Sequence, residues 1–184
     1  MLFRSSALAR ISIGGPDDPP GTSRFIQREP LGVVFIIAAW NYPYLIAVNA
    51  LIPALLAGNA VVMKHSAQTP LVAENLVAAG KEAGLPEGLF SFLHISHEAT
   101  AKAISHPAVA HVAFTGSVGG GHAIQSALGS GFASCGLELG GKDPAYVAED
   151  ANLESAVANL VDGAFFNAGQ SCCGIERIYV HESL

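Results

Sequence analysis

Short, wholly apolar runs alternate along the chain with longer stretches that carry their apolar residues on one helical face. Gly, Pro and Asn mark the joins. Gly32-Val33-Val34-Phe35-Ile36-Ile37 is continuous and β-branched, the pattern of a strand covered on both faces of a parallel sheet. Trp40-Asn41-Tyr42-Pro43 ends it, Tyr44 to Ala57 suits a helix closed by Gly58, and Ala60 to Lys64 reads as the next strand. The order then repeats, predicting helices over 71–83, 98–105 and 121–128 and strands over 89–92 and 109–114. Alternation of this kind predicts an α/β fold, a doubly wound, Rossmann-like parallel sheet. After Gly131 the rhythm changes: 133–139 and 145–147 read as strands, 153–166 as a helix and 175–180 as a strand. The chain therefore divides into an irregular lead-in over 1–27, a first domain over 28–132 and the beginning of a second α/β lobe over 133–184.

Composition narrows the function classes. Of 184 residues, 51% are hydrophobic and 13% charged, which suits a buried sheet and excludes a disordered chain. The net charge of −6, with no Lys/Arg cluster, removes the footprint of a nucleic-acid binder; a phosphate ligand must be held by local groups. Leu31 to Met63 carries no charge and is long enough to span a bilayer. Asn41, Pro43, Asn49, Pro53, Gly58 and Asn59 break it into strand- and helix-sized pieces, so no membrane span is expected. Met1 to Arg10 holds Arg4 and Arg10 but no apolar core of signal-peptide length. Cys135, Cys172 and Cys173 form no disulfide framework, and no Cys/His set has metal-ligand spacing. A reducing, cytoplasmic compartment is the expectation.

Four motifs carry chemistry. Cys172 follows a predicted helix in Phe166-Asn167-Ala168-Gly169-Gln170-Ser171-Cys172; a buried packing thiol and a nucleophile on a loop near the carboxyl ends of a sheet both fit that placement. Glu138, in Leu137-Glu138-Leu139-Gly140-Gly141-Lys142, suits either pairing with Lys142 or work as a general base. Asn41 suits either a turn amide or an oxyanion donor. Phe114-Thr115-Gly116-Ser117-Val118-Gly119-Gly120-Gly121 lacks the G-x-G-x-x-G fingerprint. It still places a glycine-rich turn where a helix would offer free N–H groups to a pyrophosphate. Lys64, at a strand end, is either a solvated lysine or a ligand.

Together and in this order the four motifs resemble the aldehyde dehydrogenase superfamily, over roughly residues 28–184. The resemblance implies NAD(P)-dependent oxidation of a small-molecule aldehyde to a carboxylic acid through a cysteine thiohemiacetal and thioester. It implies Cys172 as nucleophile, Glu138 as base and Asn41 as oxyanion donor. Lys64 would contact the adenosine ribose, Trp40 would wall the cofactor cleft, and Gly116, Ser117 and Gly121 would form a G-x-x-x-x-G phosphate turn. Cys173 would be a packing or redox-sensitive neighbour. Members preferring NAD often carry a glutamate three residues after the lysine; here that residue is Ala67, so NAD or NADP is expected, with His65 and Ser66 available to a 2′-phosphate. Acyl transfer to coenzyme A from the same thioester is the alternative chemistry, and an inactive fragment is the alternative fate. The resemblance covers the middle of the family's chain and implies that the full-length protein is a homo-oligomer, a dimer or tetramer. The 184-residue chain alone is expected to be poorly soluble and inactive.

Overall fold

A computed structural model describes residues 9–184; Arg4 and the rest of the first eight residues lie outside the described residues. The lead-in is more ordered than its composition suggested. β1 (Ile11–Ser12) and β2 (Phe25–Ile26) pair antiparallel, with Ile11 opposite Ile26, and the Arg10 guanidinium lies 4.3 Å over the Phe25 ring. Two residues per strand leave no hydrophobic period to read, and the intervening Gly/Pro-rich turn dominates the sequence.

The main body runs β3 (Val33–Ala38), α1 (Pro43–Leu56), β4 (Ala60–His65), α2 (Leu71–Glu82), β5 (Phe90–Phe92), α3 (His97–Ile104), β6 (Val109–Gly116), α4 (Val118–Leu128) and β7 (Ser134–Leu139). The five strands from β3 to β7 form one parallel sheet in the order β5-β4-β3-β6-β7. β3 is central, and its alternate side chains feed two cores. Val34, Ile36 and Ala38 join residues of α1 and α2 on one face, while Phe35 and Ile37 join Ile104 of α3 and Ile124 of α4 on the other. Burial on both faces explains the unbroken apolar run, and each such large side chain contributes about 1.5–3 kcal/mol. Buried Asn59 stitches this centre together: its Oδ1 accepts from the N–H groups of Leu31 (2.7 Å) and Gly32 (3.1 Å), and its Nδ2 donates to Ala54 O at 3.0 Å.

Two expectations are corrected here. β7 is not the first strand of another lobe; it is hydrogen-bonded to β6 as the edge of the main sheet, with Thr115 opposite Glu138. α4 is the crossover into β7, and the chain then leaves the sheet through the short 140–142 link. The second unit is β8 (Asp143–Val147), α5 (Leu153–Phe165) and β9 (Ile175–Val180), with β8 and β9 parallel. α4 starts at Val118 rather than at residue 121, since the Ser117 hydroxyl caps it by accepting from Gly120 N at 3.1 Å. Among the described residues no helix is long and apolar enough to cross a membrane.

Candidate active site

In a doubly wound sheet, ligands bind outside the carboxyl ends of the strands where the connection order reverses. Here that point lies between β3, whose next strand in sequence is on one side, and β6, on the other. A cleft of about 660 Å³ opens there. Its walls come from the ends of β3 (Trp40, Asn41), β4 (Lys64, Ser66, Ala67), β6 (Gly116, Ser117) and β7 (Glu138), together with the loop carrying Cys172. Seven of the eight residues singled out from the sequence thus meet in one cavity.

The thiol end is assembled by two loops more than a hundred residues apart in sequence. After α5 the backbone at Asn167, Ala168 and Gly169 turns left-handed, with φ of 52°, 57° and 75°, a conformation that costs an alanine about 1–3 kcal/mol. Asn167 Nδ2 lies 3.1 Å from Asn41 O and 3.3 Å from Gln170 O, and Asn41 Nδ2 donates to Gln170 O at 3.0 Å. Gln170 closes the ring, its Nε2 donating to Asn167 O at 3.2 Å. Tyr42 and Phe166 stack beside it, centroids 6.5 Å apart. Cys172 emerges exposed, not as a buried packing thiol, and Cys173 Sγ sits 3.2 Å from Ser171 Oγ. A side chain on Gly141 would meet the Cys172 carbonyl at 3.2 Å, so the Gly140–Gly141 turn brings the end of β7 against the thiol loop. Glu138 is not paired with Lys142, which binds Glu176 instead; its exposed carboxylate lines the cleft.

The cleft also carries a cation. Lys64 is 8% exposed, lowered in pKa by burial, and without a hydrogen bond or ion pair among the described residues. With its stem buried and its ammonium open to the cleft without a protein partner among the described residues, Lys64 is free to meet a negatively charged or hydroxyl-rich occupant. Phe114 lies over the first turn of α4: a Cβ on Gly116 or on Gly120 would come within 2.6 Å of its ring. Glycine at both positions therefore makes room for the Phe114 ring against the turn that opens α4.

Two residues are placed differently from expectation. Gly121 does not line the cleft; a Cβ there would meet Leu139 Cδ2 at 3.0 Å, so this glycine permits close packing of α4 on β7. His65 is unavailable to a phosphate: it is 2% exposed, with Nε2 3.1 Å from Pro43 O and Nδ1 3.0 Å from Thr69 Oγ1. Burial lowers its pKa. Conversely, His97, Thr100, Asn167 and Gln170 belong to the site's walls or framework and were not singled out. A signal existed for the first: Ser96 reads as an N-cap and accepts from Ala99 N at 3.2 Å, which places His97 at the start of α3 on the cleft rim.

The parallel sheet, the carboxyl-end cleft and the exposed cysteine in a cavity shared with Lys64 define a doubly wound α/β protein with a thiol on its cleft. The chain belongs to the aldehyde dehydrogenase family, whose sequence model matches residues 6–184. It is 42% identical to 4-trimethylaminobutyraldehyde dehydrogenase of Oryzias latipes over 90% of the chain and 33% of that protein. It is 45% identical to phenylacetaldehyde dehydrogenase of Pseudomonas fluorescens over 86% of the chain and 32% of that protein. A solved succinic semialdehyde dehydrogenase of Streptococcus pyogenes, in complex with NADP+ as the cofactor, superposes with a TM-score of 0.87 at 27% identity, over 96% of this chain and 38% of that one. The chain spans about a third of the length of the curated relatives it matches.

Proposed function

We propose that the enzyme containing this segment oxidises an aldehyde to its carboxylic acid with NAD or NADP, through a covalent bond to Cys172. The observation that carries the proposal is one cavity lined at once by Cys172, Asn41, Glu138 and the unpartnered Lys64. Family membership and the relatives named above support the reaction class.

In this reading Cys172 Sγ, as thiolate, attacks the aldehyde carbonyl; the C–S bond forms as the carbonyl π pair moves to oxygen. The oxyanion is met by an N–H of Asn41 and by the backbone N–H of Cys172, fixed donors whose worth is about 10²–10³ in rate. A nicotinamide held in the cleft would supply the acceptor for the hydride that this carbon gives up, which would leave the acyl group on Cys172 as a thioester. Glu138 then takes a proton from water, whose oxygen adds to the thioester carbon, and cleavage of the C–S bond releases the acid and the Cys172 thiolate. Lys64 fits the adenosine ribose, and Gly116, Ser117 and the N–H groups opening α4 fit the pyrophosphate. Trp40 walls the cleft. Among the described cleft residues Glu138 is the one carboxylate, which supports acceptance of NADP as well as NAD.

The proposal places the complete protein in the cytoplasm as a homo-oligomer, consistent with three free thiols and with the resemblance stated above. The test is substitution in the full-length enzyme. Cys172→Ser is expected to lower aldehyde oxidation by at least about a thousandfold while Cys173→Ser leaves it within a few-fold; the reverse outcome would assign the wrong sulfur. Identical product yields with and without coenzyme A would separate hydrolysis from acyl transfer.

A further inference from the structure

The geometry points to Asn167 as the positioning residue that aims the Asn41 amide at the Cys172 oxyanion, which rests on the reaction proposed above. Asn41 and Cys172 lie on loops from different ends of the chain, and a donor shared between them works only if the loops are held in register. Asn167 is the side chain that spans them. Its Nδ2 lies 3.1 Å from the backbone oxygen of Asn41 and 3.3 Å from that of Gln170, two residues before the thiol.

The same Gln170 oxygen accepts from Asn41 Nδ2 at 3.0 Å. One Asn41 N–H is therefore spent on a fixed carbonyl. Because an amide is planar, this fixes the direction of the second N–H, the one left for an oxyanion. Asn167 grips both the backbone of Asn41 and the carbonyl to which the Asn41 amide is anchored. Removing it frees both ends of that anchor.

The backbone of Asn167 supports the assignment independently. Its φ of 52° is left-handed and is followed by φ of 57° at Ala168 and 75° at Gly169. Asparagine is among the few residues with a side chain that tolerate this region, because its short amide can bond locally. Gln170 secures the turn on Asn167 O, with its backbone N at 3.1 Å and its Nε2 at 3.2 Å. That leaves the Asn167 amide free to reach out to Asn41.

The experiment uses the full-length enzyme and compares Asn167→Gly, which keeps left-handed freedom but loses the amide, with Asn167→Asp, which keeps the shape but turns the donor into an acceptor. Both are expected to lower kcat about tenfold to a hundredfold, the cost of misplacing a catalytic group by about an ångström, with KM for aldehyde and cofactor within twofold. The double variant Asn41→Ala/Asn167→Gly is expected to be no slower than Asn41→Ala alone, within threefold, because both changes remove one donor. Wild-type kcat in Asn167→Gly and Asn167→Asp would overturn the assignment, and so would losses that multiply in the double variant. Should the glycine variant fail to fold, the aspartate variant and its double with Asn41→Ala carry the same comparison. An active Cys172→Ser control would sink the underlying reaction; an inactive one beside fully active Asn167 variants would sink this inference alone.

Discussion

Ala67 lies on the cleft wall between Ser66 and the exposed start of the next turn, in a stretch where Lys64 is the nearest charged residue in sequence. A carboxylate at this position would sit beside the lysine and compete with any 2′-phosphate for it. Two unit charges of like sign at 4 Å repel by about 1 kcal/mol in water and about 4 kcal/mol near a protein surface. Ala67→Glu is accordingly expected to lower kcat/KM for NADP relative to NAD by at least about tenfold, read from steady-state rates with each cofactor. A wild-type preference for NAD above a hundredfold would remove the basis of this expectation. At this scale the sequence carried far: Cys172, Glu138, Asn41, Lys64, Trp40, Gly116 and Ser117 were all picked from it and all line one cavity. Gly121 was not distinguishable from its neighbours, because three successive glycines look alike until a helix face assigns one of them to Leu139. His65 was misread for a similar reason. A histidine after a lysine looks available, and only the fold reveals Pro43 O and Thr69 Oγ1 on its two nitrogens. Asn167 escaped because a clamp between residues 126 apart leaves no local pattern.

Among the elements, the joint of β6 and α4 is set by a ring packed between two glycines. Phe114 occupies the space that a Cβ on Gly120 would need, at 2.6 Å from Cζ, and an aromatic ring in a packed cluster yields less readily than a flexible chain end. Gly120→Ala gains helix propensity of about 1 kcal/mol but faces overpacking of about 1–3 kcal/mol. The expected result is a lower denaturant midpoint and weaker nucleotide binding, relieved in Gly120→Ala/Phe114→Leu. A second prediction concerns β4, where burial lowers the pKa of His65. The folded state holds this ring neutral, and a depressed folded pKa gives stability that is complete above about pH 6.5 and lost as pH falls through the folded value. Half-buried His111, also lowered by burial, acts in the same direction. The urea midpoint of the full-length protein should therefore fall between pH 7.5 and 5.5, with a slope of at most about 1.4 kcal/mol per pH unit for each histidine; His65→Gln should flatten it. Element legibility followed periodicity. β3, α1, β4, α2 and β9 lie within a residue or two of expectation, because apolar, β-branched runs mark the strands and breakers such as Gly58 mark the joins. β1 and β2 are too short to show one. β7 was readable as a strand but not as a member of the main sheet, since pairing partners are a non-local property.

In the molecule as a whole, the two halves are unequally buried. The five-stranded sheet has helices on both faces and two dense cores, while α5 has no buried residue. Leu153, Val157, Val161 and Phe165, spaced four apart on one face of that helix, are 52%, 52%, 54% and 72% exposed. Tyr146, Ile178 and Val180 on the small β8–β9 sheet are exposed as well. An apolar stripe at helical spacing normally faces a core, and contiguous apolar surface of this kind drives association in isolated domains. The 184-residue polypeptide alone is therefore expected to self-associate with rising concentration, visible as an increase of weight-average mass in sedimentation equilibrium. Val157→Glu/Val161→Glu tests whether this stripe is the cause. With neither valine buried, the pair should leave far-ultraviolet circular dichroism unchanged while shifting the population towards monomer. A wild-type chain that stays monomeric at high concentration would show that the exposed stripe is tolerated. Association undiminished in the double variant would move its origin to the β8–β9 sheet, where Ile178→Lys/Val180→Lys, two residues apart on one exposed face, is the corresponding substitution.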